Sequence, residues 1–479
     1  MRNLRQPHAS LRAAAFRLAA ALAVCTAASS PLHADQDNDS QRVPASAAEL
    51  YSPIQRTFDR QTALPGGPRP VPREEMEDGV PVLFQDLKER LRDADPFWRD
   101  MRMHFYTRTH DLTRDNAVGA DSKAWAGGGA LGVRSGFLDG WLQLEAAGAT
   151  SQPLYAPSGE GGTLLLTDDQ AEISTLGIAN ARLRGFGQDL VVGRQLIKTP
   201  YINPQDTRMI PNAVEGVALM REQDEAQVLD YGVGYLWGFK ARDSSEFVPF
   251  SEELGVSADR GVAVAGAKLS LPNGLTLGAI DYFIADVLNT GFAEFDWRVD
   301  AGPVQLRFSA NFTDQRTVGS DLIAGAPYAT RQISERFAAS YRGATVLLAA
   351  SHNGNGAALQ GPFGSFPAYT VLDQLDFNEA GQQTVVIGAA YDLSGLVLDG
   401  LKAQTRYGWS WGAIDAPSGA ALSRQNEFNV EVEYEPRFGL LKNVLVQLFY
   451  SAVEFPDNPP GETQQPQVRG VVTYLVPLL

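Results

Sequence analysis

The stretch VQLRFSANF, residues 304 to 312, alternates between apolar and polar side chains at every step. The even-numbered residues are apolar, from Val304 to Phe312, whereas the odd-numbered residues are polar and include Arg307. A period of two residues is typical of a β-strand, because successive side chains point to opposite faces. The stretch therefore predicts a strand with one apolar face and one polar face that carries an arginine in mid-strand.

The same alternation recurs from about residue 100 to the end of the chain, for example in LKAQTRYGWSW (401–411) and FNVEVEY (428–434). We count about eighteen such runs, near residues 100–109, 123–134, 140–149, 171–184, 188–196, 213–222, 228–240, 261–271, 274–285, 292–300, 303–313, 331–342, 344–352, 382–392, 400–411, 426–435, 443–454 and 467–476. Short connections, such as LPNG (271–274), alternate with long ones, such as residues 353–381. This spacing predicts an all-β chain.

Two classes of protein fit such a chain, a secreted soluble all-β protein and an outer-membrane barrel. A soluble sandwich also alternates, so alternation alone does not decide. The strands are about nine to eleven residues long, which suits a tilted membrane strand. Aromatic residues collect toward the ends of the apolar faces, and the polar faces carry Arg, Glu and Gln, which suits interfacial belts around a wet lumen. We therefore predict a transmembrane antiparallel β-barrel of about 18 strands, closed because lipid cannot satisfy an open edge.

The run YGVGYLWGF, residues 231 to 239, leads to a specific prediction about side-chain direction. Uninterrupted alternation puts Tyr231, Val233, Tyr235, Trp237 and Phe239 on one face. The opposite face is then mostly glycine. All five large side chains are accordingly expected on the apolar outer face.

The N-terminus predicts export. Four arginines in the first 17 residues precede the apolar stretch Leu18–Ala28, and Leu32–Ala34 ends in a small residue suited to cleavage. This pattern is typical of a secretory signal peptide and is too short to cross a membrane as a helix. We predict a signal peptide over residues 1–34. The single cysteine, Cys25, lies within it, so the exported chain folds without disulfides.

Residues 35–96 differ in composition from the rest of the chain. The proline-rich stretch Pro65–Glu75 predicts an extended linker. In the segment Val82–Asp95, leucines at 83, 87 and 91 are one helical turn apart. We therefore predict an N-terminal extension, made of a linker and a short helix, followed by the barrel over residues 97–479.

Charge and motifs exclude several functions. The chain has 40 Lys+Arg and 56 Asp+Glu, a net charge of −16, which excludes a general nucleic-acid binder. The motifs G-x-S-x-G, H-E-x-x-H and the P-loop are absent from the sequence, so we predict no enzyme. The histidines after the signal peptide, His104, His110 and His352, have no partner at ligand spacing, so we expect neither a metal site nor a cofactor.

Three stretches carry a resemblance to a known family. MRMHFYTRTHDL (101–112), WAGGGALGVRSGFLDGWLQLEAAG (125–148) and GRQLIKTPYINPQDTRMIPNAVEGVAL (193–219) occur in this order, and the chain closes with QVRGVVTYLVPLL. Together they resemble the OprD family of outer-membrane porins, and DTRMIP is the most specific part. The resemblance implies an eighteen-stranded passive channel of the outer membrane, often grouped as trimers. It also implies that the third extracellular loop folds inward and narrows the pore, helped by a long seventh loop.

The loop Lys198–Asn212 is the constriction loop that this resemblance implies. Three prolines, at 200, 204 and 211, restrict its backbone, as a loop that defines a pore size requires. Its expected functional residues are Lys198, Tyr201, Asp206 and Arg208. Two interpretations of Asp206 and Arg208 stay open: they face the pore, or they form a salt bridge that holds the loop to the wall.

Arginines supply the expected solute contacts. The resemblance implies a ladder of arginines along one wall, which Arg102, Arg108, Arg182 and Arg184 match. Alternation alone adds three residues to the polar faces: Arg134, Arg307 and Arg406. Any one of them could instead pair with a loop acid. Glutamates on one later strand are expected to form an opposing acidic wall: Glu427, Glu431 and Glu433.

These observations lead to one functional prediction and one rival. The prediction is a passive outer-membrane porin, selective for small carboxylate-bearing solutes such as amino acids and aromatic or organic acids, since guanidinium groups bind carboxylates well. Its expected partners are these solutes and outer-membrane lipids, with a possible homotrimer and no nucleic acid. The rival is a secreted all-β glycan-binding protein or hydrolase.

Overall fold

The computed structural model describes residues 82–221, 228–323, 326–436, 441 and 443–479. The predicted signal peptide and residues 35–81 of the predicted extension lie outside this part of the chain. This part of the chain contains three short helices: α1 (Gln85–Leu91), α2 (Pro96–Arg99) and α3 (Phe250–Glu253). Among the described residues, no helix is long and apolar enough to cross a membrane.

Eighteen antiparallel strands form one closed sheet, because β1 pairs with both β2 and β18. The strands are β1 (Arg102–Arg114), β2 (Ser122–Arg134), β3 (Leu142–Tyr155), β4 (Ile173–Gly185), β5 (Gln188–Gln195), β6 (Ala213–Arg221), β7 (Leu229–Lys240), β8 (Val262–Ser270), β9 (Leu275–Ile284), β10 (Leu288–Ala301), β11 (Val304–Thr317), β12 (Ala329–Tyr341), β13 (Ala344–Asn353), β14 (Gln383–Asp392), β15 (Leu401–Trp411), β16 (Asn426–Tyr434), β17 (Val444–Glu454) and β18 (Gln464–Pro477). The predicted barrel and its strand number are confirmed.

The outer face of the barrel is apolar and the inner face is polar. In β11, Phe308 and Phe312 point outward and are 39% and 43% exposed, whereas Ser309 and Asn311 point inward and are 4% and 3% exposed. Soluble proteins show the opposite arrangement, with apolar side chains inside. An apolar exterior requires a lipid environment, and the closed ring leaves no unpaired strand edge in it.

One predicted side-chain direction was wrong. Phe239 is completely buried and packs inside the barrel against Phe250 and Phe363. The cause is a β-bulge, since Glu215 of β6 pairs with Gly238 whereas its neighbour Gly216 pairs with Leu236. A bulge inserts an extra residue, here Trp237, so the alternation of β7 reverses after it.

Connections at the two ends of the barrel differ in length. At the short-turn end, only residues 186 and 187 separate β4 from β5. At the opposite, long-loop end lie four long connections, which we call L2 (156–172), L3 (196–212), L4 (241–261) and L7 (354–382). In outer-membrane barrels the short turns face the periplasm and the long loops face the exterior.

The described part of the N-terminal segment packs at the short-turn end. The backbone N–H of Phe84, just before α1, donates to the carbonyl of Leu478 over 3.0 Å. Asp95 caps α2 by accepting from the N–H of Phe97 over 2.9 Å. The two ends of the barrel chain are thereby held together next to the seam between β1 and β18.

Candidate functional site

L3 crosses the interior of the barrel. At one end, the hydroxyl of Tyr201 donates to Oγ1 of Thr313 on β11 over 3.0 Å, and its N–H donates to the hydroxyl of Tyr282 on β9 over 3.2 Å. At the other end, Asp206 is bound by Arg108 on β1. Because β9 and β11 lie far from β1 around the ring, the loop between these contacts spans the lumen.

Arg108 is the main anchor of L3 on the wall. Its guanidinium donates two parallel hydrogen bonds to Asp206, of 2.6 and 3.0 Å, and a third to the carbonyl of Arg208 over 2.6 Å. Bidentate charge-assisted pairs of this kind are among the strong hydrogen bonds of proteins. Asp206 therefore holds the loop to the wall instead of standing free in the pore, and Arg108 is occupied by the same contact.

L7 also folds into the barrel and rests on L3. Asn203 of L3 donates its N–H to the carbonyl of Phe363 over 3.1 Å. Its side-chain amide donates to the carbonyl of Ser365 and accepts from the N–H of the same residue, each over 3.1 Å. The two loops thus form one layer across the lumen.

A buried glutamate fixes the far end of L7. Both oxygens of Glu427 on β16 accept backbone N–H groups, from Asp373 and Gln374 over 2.9 and 3.0 Å and from Leu375 over 2.8 Å. Glu427 is completely buried, and a buried carboxylate needs such partners. It belongs to the wall as a support for L7, a role that the sequence did not reveal.

The loops and the wall enclose a cavity of about 250 Å³. Six arginines and two aspartates line it: Arg114, Arg208, Arg242, Arg336, Arg406, Arg469, Asp373 and Asp376. Six positive and two negative charges leave a formal charge of +4 in a confined space. Low-dielectric walls focus such a field, so the cavity attracts anions.

The wall arginines of this cavity have protein partners. Arg469 on β18 forms a salt bridge with Asp373 and stacks on Phe449, with 4.3 Å between the guanidinium carbon and the ring centre. Arg336 on β12 lies 3.5 Å from a carboxylate oxygen of Asp296 and stacks on Tyr369. These contacts orient the guanidinium groups at the edge of the cavity.

The loop arginines have a different environment. Nε of Arg208 donates to the carbonyl of Thr163 in L2 over 2.9 Å. Its Nη1 donates to the carbonyl of Thr207 over 2.8 Å, and Arg242 of L4 donates to the hydroxyl of Thr207 over 2.7 Å. Burial lowers the pKa of Arg208, and the nearby guanidiniums of Arg469 and Arg242 lower it further.

The backbone around the cavity is strained at two positions. Leu164 of L2 and Gln205 of L3 both line it and have positive φ values of 58° and 41°. Residues other than glycine rarely adopt a positive φ, and this backbone conformation costs about 1–3 kcal/mol per residue. Such strain persists where the surrounding packing determines the conformation.

Of the residues proposed from the sequence, Arg208 and Arg406 line the cavity. Tyr201 and Arg108 instead hold L3 in place, and Lys198 is exposed at the beginning of the loop. The remaining ones lie elsewhere in the barrel.

Four of the arginines predicted to line the pore lie at the short-turn end, away from the cavity, and three of them, Arg102, Arg182 and Arg184, belong to the predicted ladder. Arg102 and Arg134 are opposite each other in the β1–β2 pair. Arg182 and Arg184 share one partner, Asp189 on β5, over 3.4 and 3.1 Å. The carboxylate of Asp189 therefore compensates part of their charge.

The expected acidic wall does not lie opposite the arginines. Glu431 and Glu433 are on β16, between the strands of Arg406 and Arg469, so they are on the same arc of the wall. Gln447 bridges the two glutamates over 3.5 and 3.3 Å. Lys402 lies 3.9 Å from Glu433. A strand pattern gives the face of a side chain but not its position around the ring, which explains this correction.

Arg307, the arginine of the opening stretch, is buried and paired. Its Nε donates to Asp296 on the neighbouring strand β10 over 2.7 Å. Ser309 donates to the same oxygen over 2.7 Å. The pair lies next to Arg336 in the wall and does not line the cavity.

The sequence analysis did not predict six of the eight charged residues that line the cavity. Arg336 is on the same face of β12 as Gln332 and Ser334, and Arg469 lies between Val468 and Gly470 in β18, so the period of two could have found them. Arg114 ends β1 on the inward face and could have been found in the same way. Arg242, Asp373 and Asp376 lie in L4 and L7, where no periodic signal exists.

A closed ring with an apolar exterior and a charged, narrowed interior defines a transmembrane pore. The sequence matches the profile described as "outer membrane porin, OprD family" over residues 95–478. The chain belongs to this family and is an outer-membrane porin, which does not favour the rival of a secreted glycan-binding protein or hydrolase. No curated protein matches the chain.

Solved structures share the fold at low sequence identity. Pseudomonas aeruginosa OpdK with vanillate is 22% identical, with a TM-score of 0.70, over 79% of this chain and 99% of that chain. A BenF-like porin from Pseudomonas fluorescens Pf-5 is 18% identical, with a TM-score of 0.73, over 80% and 100%. Pseudomonas aeruginosa OccK2 (OpdF) in complex with glucuronate is 18% identical, with a TM-score of 0.69, over 80% and 98%.

Proposed function

We propose that this porin is a passive channel selective for small carboxylate-bearing solutes, and that the cavity between L3, L7 and the wall is its selectivity filter. The observation that carries the proposal is the set of six arginines against two aspartates around one cavity. Planar guanidinium groups bind carboxylates through two parallel hydrogen bonds. Conduction requires that the arginines bind the carboxylate weakly enough for the solute to leave the cavity.

Two solved relatives of the same fold support a carboxylate solute. The ligands of these two structures, vanillate and glucuronate, are an aromatic acid and a sugar acid, and each carries one carboxylate group. The sequence identity to both relatives is low. They therefore support carboxylates as the class of solute and do not indicate which carboxylate permeates.

The proposal includes no catalysis and no energy coupling, because selection by a charged constriction acts on diffusion alone. L3 and L7 together form the proposed constriction, since both cross the lumen and contact each other. The trimer implied by the resemblance finds no support in the single chain and stays a prediction.

Single-channel recording in planar bilayers tests the proposal. We expect Arg336→Gln combined with Arg406→Gln to lower the permeability ratio of chloride to potassium and to weaken block by benzoate several-fold. Arg424→Gln is the matched control, because Arg424 pairs with Asp457 on an exposed loop and does not line the cavity. A folded double variant with wild-type selectivity and benzoate block would overturn the proposal.

We further propose that the four arginines at the short-turn end form the last part of the arginine ladder. Because Asp189 compensates two of them, their contribution should be smaller than that of the cavity. Arg102→Gln combined with Arg184→Gln should lower carboxylate uptake by intact cells and leave insertion unchanged. Unchanged uptake in the inserted double variant would remove these residues from the ladder.

A further inference from the structure

Three arginines from three separate elements meet on the loop side of the cavity. We call Arg114 at the end of β1, Arg208 in L3 and Arg242 in L4 the loop arginine cluster. Thr207 connects two of its members, because its carbonyl accepts from Arg208 and its hydroxyl accepts from Arg242, over 2.8 and 2.7 Å. Arg114 donates to Asn116 and Ser122 over 2.7 and 3.1 Å.

The cluster lacks a carboxylate partner within the part of the chain that the structure describes. The hydrogen-bond acceptors of all three guanidinium groups are carbonyl, amide or hydroxyl oxygens. Such neutral acceptors satisfy the N–H groups but do not neutralise the charge. A buried charge is costly without a counter-charge, so the cluster gains most from a bound anion.

The wall arginines differ in this respect. Asp373 is bound by Arg469, and Asp296 lies beside Arg336. Three carboxylates act on the cluster from beyond salt-bridge distance: Asp243 of L4 and Asp376 of L7 act on Arg242, and Asp373 acts on Arg208. Because Asp373 is bound by Arg469, the cluster keeps three positive charges against the two negative charges of Asp243 and Asp376, which is a formal charge of +1.

We propose that the loop arginine cluster is an anion subsite of its own, and that the channel prefers solutes with two carboxylate groups over those with one. One carboxylate binds the cluster and the second faces Arg336 and Arg406 across the same cavity. A solute with two carboxylates binds arginines on both sides of the cavity, whereas a monocarboxylate binds arginines on one side only. The inference rests on the proposed function and specifies, in addition, that the preferred solute has two anionic groups.

Succinate and butyrate test this inference, because both have four carbons and they differ in one carboxylate. In single-channel recordings at pH 7.5 we expect succinate to block the wild-type channel at concentrations at least about tenfold lower than butyrate. Arg242→Gln should remove most of this preference, and Arg242→Lys, which keeps the charge, should retain much of it. Arg424→Gln on the exposed outer loop is the control and should behave as the wild type.

Asp376→Asn gives a test in the opposite direction. Removing its negative charge raises the formal charge of the cluster from +1 to +2, so succinate should block several-fold more strongly than in the wild type. This gain cannot come from a folding defect, which would weaken the block.

The outcomes separate the inference from the function on which it rests. Equal block by succinate and butyrate in the wild type, or a preference unchanged in Arg242→Gln, overturns the second subsite and leaves carboxylate selectivity intact. Absence of block by either compound, together with no chloride preference, overturns the proposed function itself.

Discussion

Arginines on the inner face of this barrel have two different roles. Arg108 and Arg307 are buried and form salt bridges with Asp206 and Asp296, respectively, so their charges are neutralised within the protein. Arg208 of the loop arginine cluster has only neutral acceptors and stays available to an anion. The counter-charge of each arginine, and not its inward direction, decides whether it can bind a solute.

Asp206→Asn tests the anchoring role of Arg108. The change leaves the buried guanidinium without its counter-charge, and breaking a buried pair costs about 3–5 kcal/mol. The side chain of Asp206 is 21% exposed, so we expect the lower part of this range. L3 should loosen, which raises single-channel conductance and current noise and lowers the temperature of barrel unfolding in detergent.

The exposed pair Arg424–Asp457 provides the control for this change. Asp457→Asn removes a surface salt bridge between two solvent-exposed residues and should leave conductance as it is. If Asp206→Asn matched this control in noise and conductance, L3 would not depend on Arg108.

The protonation of Asp376 should make the selectivity of the channel depend on pH. Burial raises the pKa of Asp376 to about 6, although Arg242 beside it acts in the opposite direction. Above this pH the ionised carboxylate cancels one positive charge of the cavity, and below it the protonated group no longer does. The other carboxylate that lines the cavity, Asp373, is held by Arg469. The permeability ratio of chloride to potassium should therefore rise as pH falls from 7.5 to 5.

Reversal potentials in a salt gradient measure this effect. The wild type should show its high chloride preference only at pH 5. Asp376→Asn should show this high preference at both pH 5 and pH 7.5. A variant that keeps the wild-type pH dependence would assign the titration to another group.

At the scale of elements, the strands could be predicted from the residue pattern, whereas the inward fold of L3 and L7 was implied only by the family resemblance. The period of two is local, so runs such as residues 303–313 identified strands like β11 directly. The bulge at Trp237 depends on the pairing between β6 and β7, which a single run does not contain. The inward fold of L7 depends on Glu427, which is distant in sequence and looks like any other inward-facing glutamate.

Glu427→Gln tests how this residue supports L7. The change removes one of the two oxygens that accept backbone N–H groups and removes the charge, and hydrogen bonds to charged groups contribute about 1.5–3 kcal/mol. We expect the barrel to form, with unchanged far-ultraviolet circular dichroism, while channel currents fluctuate between several levels. Glu433→Gln, on the same strand and in contact with Gln447 and Lys402, should conduct steadily. Steady wild-type currents in Glu427→Gln would contradict the role of this carboxylate.

At the scale of the whole molecule, the barrel wall and the filter have different origins. The wall follows from alternation, closure and strand length, which is why fold and membrane location were predictable. The filter arises where L2, L3, L4 and L7 meet the wall, and it brings together residues as distant as Arg114 and Arg469. Of the predicted site, the wall residue Arg406 and the loop residue Arg208 line this cavity, whereas contacts between loops determined the rest.

The central claim is that L3 and L7 form the constriction that selects the solute. Deleting residues 201–209 removes both anchors of L3, Tyr201 and Asp206, together with Arg208, and shortening a loop costs little entropy. Planar-bilayer recording of this deletion variant tests the claim most directly. We predict a folded channel with higher conductance and lower preference for anions, because a wider lumen no longer forces the solute close to the cavity arginines. The deletion removes Asp206 and Arg208 together, so it does not change the formal charge. A folded variant with wild-type conductance and selectivity would contradict the claim.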